Sequence, residues 1–262
     1  MTHSLFSFLL LYGGTFAIGI GVGLASLFLG LGGGLLIVPL LPLISGVSAR
    51  EAIGTSLLTV FFVSLQNAWM FFRESRIDLR AATYIGLFGA ISSFIAGRLT
   101  DRVPEIMLHT VFFVVLILLA ATSFLWRGNK TIEERPLTAS FAAAVGLTTG
   151  LISGFTGVGG GIFVVPALSF SRRVLQEKIV PTSVATIVIT SFAGSFAFLS
   201  EAVTKNSLEI RPDLAVALFL GAITASQLFR THQKKLTPRN RDWLIGGLLL
   251  ILAIRTLILI IP

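Results

Sequence analysis

The chain has 262 residues, of which 54% are hydrophobic and only 12% are charged, and its net charge is +8. A soluble domain carries about 25% charged residues, so this composition excludes a soluble enzyme, a disordered linker and a secreted disulfide scaffold. The absence of cysteine also excludes thiolate chemistry and Cys-ligated metals. The sequence therefore predicts an integral membrane protein whose basic excess lies in cytoplasmic loops rather than on a nucleic-acid-binding surface.

Eight hydrophobic runs approach the roughly 20 apolar residues that a membrane-spanning helix needs. In chain order the runs are Leu5–Leu29, Ala52–Phe72, Ala81–Gly97, Ile106–Trp126, Leu137–Phe155, Ile179–Leu199, Leu214–Phe229 and Trp243–Ile261. Two shorter runs, Leu35–Ile44 and Ile162–Phe170, each follow a glycine-rich break. Ten helical residues reach only about 15 Å, half of the hydrocarbon core, so these runs are predicted to be half-helices or short tilted helices.

The two halves of the chain repeat each other. Phe16–Leu41 and Ala143–Leu168, aligned at a constant offset of 127, are identical at 13 of 26 positions. The same offset continues into the following helix and there aligns four hydroxyl pairs: Thr55 with Thr182, Ser56 with Ser183, Thr59 with Thr186, and Ser64 with Ser191. The halves meet in the polar loop Arg127–Pro136, so we predict one membrane domain built from repeats over residues 1–130 and 131–262.

The basic residues indicate how the repeats are oriented. If each glycine-broken unit crosses the membrane twice, as a hairpin, five lysines and arginines fall on one side and fourteen on the other. If each unit crosses once, the split is only eight to eleven. The positive-inside rule favours the hairpin, which gives five crossings per repeat. We therefore predict an all-α, polytopic transmembrane protein of two inverted-topology repeats, with glycine-broken helices and both termini outside.

Glycine breaks at matching positions of inverted repeats are typical of transport sites near the bilayer midplane. Backbone amides freed at a break find no partner in lipid, and the half-helix that follows directs its positive N-terminus at the break. The alternative is that the glycines only permit close helix packing. The candidate anion-binding amides are those of Gly32, Gly33, Gly34, Gly159, Gly160 and Gly161.

Hydroxyl side chains that recur at matching positions of the two repeats are further candidate donors for this site. Thr55, Ser56, Thr182 and Ser183 can donate to an oxyanion, although such side chains also bond back to the preceding helical turn. Four further polar residues are candidates for a gate or entrance, namely Arg50, Lys178, Gln66 and Asn67. The first two can attract anions or anchor the membrane interface, and the last two can break the symmetry or link helices.

All twelve acidic residues lie in or near loops. Because cation-coupled carriers usually keep a carboxylate within the membrane, this distribution favours an anionic substrate, whose export the membrane potential drives. No Ser/His/Asp set or paired histidine ligand lies in one span, so no enzymatic activity, metal or cofactor is expected. The expected partners are a small anion and the lipid bilayer, with no nucleic acid, and small-residue faces at Gly13-Gly14 and Gly86-x-x-x-Ala90 allow a homodimer.

The paired G-x-G-G-G-x-x-x-x-P segments resemble the TauE/SafE sulfite exporter family of membrane permeases. The matching positions are Gly30, Gly32, Gly33, Gly34 and Pro39, then Gly157, Gly159, Gly160, Gly161 and Pro166, each followed by a Thr-Ser pair. The resemblance implies a permease of the bacterial inner membrane that exports sulfite or a small organosulfur anion. An uptake permease, an anion channel and a non-transport membrane assembly subunit remain as alternatives.

Overall fold

The computed structural model describes residues 2–30, 32–125, 137–171, 173–205, 209–231, 247 and 249–257, and these residues form helices without any β-strand. In chain order the helices are α1 (Thr2–Leu24), continued by a π-helical turn (Ala25–Leu29), α2 (Gly34–Ser45), α3 (Ala49–Arg73), α4 (Leu79–Leu99), α5 (Glu105–Leu125), α6 (Ala139–Thr156), α7 (Gly161–Ser171), α8 (Gln176–Lys205) and α9 (Pro212–Phe229). Residues 249–257 are also helical. The loop Arg127–Pro136, predicted to separate the repeats, lies outside the described residues.

Six of these helices are long and apolar enough to cross a membrane, which confirms the predicted all-α, polytopic architecture. The two runs that follow the glycine breaks form helices of only 12 and 11 residues, α2 and α7, as predicted from their length. Large apolar side chains such as Phe62, Trp69 and Phe72 on α3 are exposed on the protein. In a bilayer this surface contacts lipid instead of water.

Local sequence explains where the long helices begin. Ser48 and Glu51 form a capping box at the start of α3, with the Glu51 amide donating to Ser48 Oγ at 3.2 Å. Asp78 caps α4 by accepting from the Ala81 amide at 3.0 Å. Helix α9 begins with Pro212, whose missing N–H costs nothing at a first helical position.

The helix pairs of one half are repeated in the other. Helix α1 packs along α9, and its counterpart α6 packs along α4, the counterpart of α9. Both crossings use small residues: a Cβ on Gly23 would overlap the Ala222 backbone, and a Cβ on Gly150 would overlap that of Gly89. Helices α3 and α8 pack against each other at the centre. Each repeat thus contributes the same kinds of helix to the contact with the other. Their inverted orientation in the membrane stays a prediction.

Cysteine labelling tests that orientation, because the chain has no native cysteine. Ser75 and Arg102 are exposed and flank α4 at opposite ends. We expect Ser75→Cys to react with an impermeant maleimide only from the cytoplasm, and Arg102→Cys only from outside, because the basic loops stay inside. Labelling of both positions from the same side contradicts the predicted topology.

Candidate functional site: two glycine breaks at the centre

Each glycine break holds three residues in the left-handed backbone region. In the first break φ is +69° at Gly30, +74° at Gly32 and +78° at Gly33. The second break has matching values of +71°, +82° and +81° at Gly157, Gly159 and Gly160. Side chains with a Cβ rarely adopt this conformation, so glycine is required at all six positions. The breaks separate α1 from α2, and α6 from α7.

The two breaks lie against each other in the interior. A Cβ on Gly34, the first residue of α2, would overlap the carbonyl oxygen of Gly157 in the opposite break. A Cβ on Gly161, the first residue of α7, would overlap the carbonyl oxygen of Gly30. The structure therefore brings the N-termini of both half-helices to one buried place. Close approach of backbone to backbone explains why these two positions are glycine although their φ is ordinary.

Two apolar side chains at matching positions of the repeats pack between the two breaks. Val60 of α3 and Ile187 of α8 lie within 3.3 Å of the Cβ positions of both Gly32 and Gly159. Both side chains are fully buried. They occupy the space between the breaks, so an anion that reaches the centre has to move them.

The amides of the breaks are free to bind a ligand. Among the described residues no acceptor is found for the amides of Gly32–Gly34 or Gly159–Gly161, and all six residues are buried. Buried unpaired amides are rare in proteins, and here they adjoin the positive ends of two helices. This combination favours a negatively charged ligand.

The four hydroxyls predicted to surround the site bond across the two halves. Ser56 Oγ donates to the Gly157 carbonyl at 2.7 Å, and Ser183 Oγ donates to the Gly30 carbonyl at 3.1 Å. Thr55 Oγ1 accepts a hydrogen bond at 2.9 Å from the amide of Arg211, the residue before α9. Thr182 Oγ1 accepts one at 3.0 Å from the amide of Asp78, the residue before α4. Every bond has its counterpart in the other repeat. The hydroxyls therefore hold the breaks and the long helices in register.

Other hydroxyls at matching positions of α3 and α8 bond within their own helix. Thr59 Oγ1 donates to the Thr55 carbonyl at 2.8 Å, and Thr186 Oγ1 donates to the Thr182 carbonyl at 3.0 Å. These are the local bonds expected of hydroxyls in membrane helices. The hydroxyls of α3 and α8 therefore form two kinds of hydrogen bond, one within the helix and one between the repeats.

Removal of either bridging serine hydroxyl should destabilise the protein by the same amount. In Ser56→Ala and Ser183→Ala a buried carbonyl oxygen loses its donor, which costs about 1–2 kcal/mol. Chemical unfolding of the purified variants measures the loss. Thr59→Ser, which keeps a hydroxyl that bonds within its helix, is the control and should stay within about 0.5 kcal/mol of wild type. A large difference between the two serine variants contradicts the equivalence of the bonds.

Arg50 is held at the N-terminal end of α3 by groups from two connecting segments. Its guanidinium contacts Asp101 at 2.5 Å, Glu209 at 3.2 Å and the Thr100 carbonyl at 2.8 Å. About a quarter of each of these ionic side chains is exposed. Lys178 lies one residue from the position that aligns with Arg50 in the second repeat. It is half-buried in the first turn of α8 and forms no ion pair with any described residue. The two basic candidates thus have different environments.

A cleft opens at the other end of α3, between α3 and α9, with a volume of about 690 Å³. It is lined by Gln66, Trp69, Met70, Arg73, Glu74, Ser226, Gln227 and Arg230. Gln66 Oε1 is buried without a partner among the described residues, whereas neighbouring Asn67 donates to Ser26 Oγ at 3.0 Å. A hydrogen bond from Arg230, opposed by partial burial, lowers the pKa of the Glu74 carboxyl. Two arginines and one ionised glutamate therefore leave the cleft mouth basic.

Sequence reasoning missed the acidic partners of Arg50 and a set of buried hydroxyls, Ser93, Thr149 and Ser153. The acids belong to connections far away in sequence, and no local pattern pairs them with an arginine. The hydroxyls lie on α4 and α6. Thr149 and Ser153 are one helical turn apart, a spacing that could have marked them, whereas Ser93 has no such counterpart on its helix. The described residues contain no group of His, Asp and Glu that could hold a metal ion.

Comparison of the sequence with known proteins identifies the family of this chain. The profile of the sulfite exporter TauE/SafE family matches residues 15–256, a span that includes both breaks. The chain belongs to the TauE/SafE family. It is 27% identical to a probable membrane transporter protein of Bacillus subtilis over 90% of this chain and 97% of the relative. A probable membrane transporter protein of Methanocaldococcus jannaschii is also 27% identical, over 93% and 94% of the two chains. No solved structure matches significantly.

Membership in TauE/SafE identifies a multi-pass membrane transporter. The family match and the six apolar helices agree with the composition, which cannot support a soluble fold. The identity of the substrate and the direction of transport require separate arguments from the site.

Proposed function

We propose that this TauE/SafE protein exports a small oxyanion, sulfite or a small organosulfur anion, across the bacterial inner membrane. The observation that carries the proposal is the meeting of two glycine breaks whose buried amides have no acceptor among the described residues. The side chains that contact the breaks are apolar or carry hydroxyls, so a cation would find no carboxylate there. Sulfite is the substrate suggested by the family description.

The route runs from the basic cleft to the centre and then to the Arg50 cluster. Arg73 and Arg230 line the cleft and lie on the side that the positive-inside rule makes cytoplasmic. Arg50 lies at the other end of α3, where its bonds to Asp101 and Glu209 tie the outer connections together. In the proposed orientation the cleft is the cytoplasmic entrance, with Gln66 and Asn67 beside it, and the Arg50 cluster closes the outer side.

The hydroxyls of Thr55, Ser56, Thr182 and Ser183 belong to the proposed site as positioning groups. The bonds of Ser56 and Ser183 fix the distance between the two breaks, and the bonds that Thr55 and Thr182 accept hold the starts of α9 and α4 in place. A homodimer is part of the proposal as well. Gly86 packs on Ile189 within the chain, so the open surface at Gly13 is the face on which a dimer would form.

Flux measurements in proteoliposomes test the function. Export of one net negative charge from a negative interior releases about 2.3 kcal/mol per 100 mV, so an inside-negative potential should accelerate efflux of labelled sulfite without a sodium or proton gradient. Efflux that saturates and is stimulated by external anion identifies a carrier. Efflux that depends on a proton gradient at clamped potential contradicts the uncoupled mechanism, and no flux of sulfite, sulfate or methanesulfonate contradicts the function.

A further inference from the structure

A hydrogen bond and an ion pair together join the start of α3 to the connection between α8 and α9, at what we call the Arg50 end of the molecule. Thr55 Oγ1 accepts from the amide of Arg211 at 2.9 Å, and Arg50 contacts Glu209 at 3.2 Å. Arg50 lies five residues before Thr55, and Glu209 lies two residues before Arg211. The hydrogen bond therefore holds the two backbone segments at a separation that lets the opposite charges meet.

The same hydrogen bond recurs at the cleft end of the molecule, where α3 ends, but there the charges are exchanged. Thr182 Oγ1 accepts from the amide of Asp78 at 3.0 Å, which anchors the connection between α3 and α4 on α8. Glu177 lies five residues before Thr182, and Arg76 lies two residues before Asp78. A reversal at only one of these positions would have placed like charges together, so the double exchange keeps an attractive pair.

Glu177 and Arg76 do not contact each other in this structure. Glu177 is exposed in the first turn of α8 and forms no hydrogen bond or ion pair with any described residue. Arg76 contacts Glu74 at 3.2 Å and lies over the Phe71 ring, 5.3 Å from its centroid. Glu74 in turn bonds to Arg230 at 2.7 Å, and both of these residues line the cleft. Arg76 is therefore held at the cleft and away from Glu177.

The pair between Glu74 and Arg230 also has a counterpart, which is not formed at the Arg50 end. Glu74 corresponds to Glu201 at an offset of 127, and Arg230 corresponds to Arg98 at an offset of 132. Arg98 donates to Ser200 Oγ at 3.3 Å. Glu201 is only 8% exposed and has no hydrogen-bond or ion-pair partner among the described residues, which is costly for a carboxylate. Each kind of pair is thus formed at one end and separated at the other.

The helices that carry these pairs also pack differently at the two ends. Helices α3 and α9 leave a cleft of about 690 Å³ beside Glu74 and Arg230. Their counterparts α8 and α4 are in close contact beside Arg98, since a Cβ on Gly97 would lie 2.9 Å from the Cβ of Ala197. One kind of ion pair therefore accompanies an open cleft, and the other kind accompanies close helix packing.

We propose that the two ends exchange these ion pairs during transport. When the cleft closes, Arg76 moves from Glu74 to Glu177. At the same time Arg50 releases Glu209, and the opposite end opens. Repeats of inverted topology allow this exchange, because a gating movement around a fixed site lets each half take the arrangement that the other half has now. The inference rests on the proposed function and assigns the residues that close its cytoplasmic side.

Maleimide labelling of Gln227→Cys reports the state of the cleft, because Gln227 is exposed and lines it and the chain has no native cysteine. The test uses the full-length protein in lipid nanodiscs. We expect Glu177→Gln to raise the labelling rate, because closure of the cleft loses its ion pair, and Arg50→Gln to lower it, because closure of the opposite end is weakened. If Arg50→Gln does not fold, Glu209→Gln breaks the same pair and replaces it.

Flux of labelled sulfite in proteoliposomes measures the same change in the transport cycle. We expect it to fall about fivefold in Glu177→Gln, the upper range for one partly exposed ion pair. Arg80→Gln is the matched control, since Arg80 is exposed at the start of α4 and forms no ion pair with any described residue. Its flux and labelling rate should stay within about twofold of wild type.

A double-mutant cycle tests the contact itself. The effect of Arg76→Gln on the labelling rate should differ between wild type and the Glu177→Gln background, because the second change finds the pair already broken. Strict additivity overturns the contact. Equal labelling rates in wild type, Glu177→Gln and Arg50→Gln overturn the exchange, as does a change of the same sign in both variants. A protein that shows the expected labelling but moves no sulfite, sulfate or methanesulfonate overturns the proposed function, while the exchange of ion pairs stands.

Discussion

Gly160→Val should abolish transport and lower the free energy of unfolding by about 2–5 kcal/mol. At φ +81° a residue with a Cβ is strained, at a cost of about 1–2 kcal/mol. The new side chain would also overlap Thr149, and such overpacking adds about 1–3 kcal/mol. Chemical unfolding and flux in proteoliposomes measure the two effects on the same preparation.

Gly46→Val separates backbone strain from crowding at the break. Gly46 has φ +65°, but no atom lies within 4 Å of its Cβ position. We expect this control to lose only the strain energy of about 1–2 kcal/mol and to keep transport. If Gly160→Val behaves like Gly46→Val in both measurements, the close contact between break and α6 has no functional importance.

Arg50→Gln should lower the free energy of unfolding by about 3 kcal/mol, because it removes the cation that contacts the carboxylates of Asp101 and Glu209. Loss of one partner from a buried ion pair costs about 3–5 kcal/mol, and partial exposure places this cluster at the lower end. Arg50 contacts Oε1 of Glu209, and the buried Oε2 atom has no hydrogen-bond partner among the described residues, so the carboxylate is poorly compensated once Arg50 is removed. Under the proposed function the same change weakens the closure that Arg50, Asp101 and Glu209 form on the outer side.

A double-mutant cycle isolates the contribution of the Arg50 cluster. Glu209→Gln should cost clearly less in the Arg50→Gln background than in wild type, since the pair is already broken. Arg211→Gln is the control: its ion pair with Asp213 at 2.8 Å is local and more than a third exposed, so we expect a loss below about 0.5 kcal/mol. Strict additivity of the Arg50 and Glu209 changes contradicts the proposed closure.

The sequence by itself determined the class of protein and the position of its helices. Hydropathy is a property of short segments, and a long apolar segment can satisfy its backbone in lipid only as a helix. The runs Ala52–Phe72 and Ala81–Gly97 therefore fall within α3 and α4. The breaks were equally predictable, since repeated glycines at one offset show where the backbone requires positive φ, as at Gly33 and Gly160.

Only the tertiary structure decided what the polar residues contact. Thr55 and Thr59 lie one turn apart on the same helix, yet one accepts from Arg211 and the other bonds to its own helix. Residue type cannot distinguish these outcomes, because a hydroxyl takes whichever partner the fold places within about 3 Å. Asn67 and its repeat counterpart Gly194 differ for the same reason. Asn67 donates to Ser26 Oγ, whereas Gly194 lies against Ser93 and Leu57, and only packing brings these distant neighbours together.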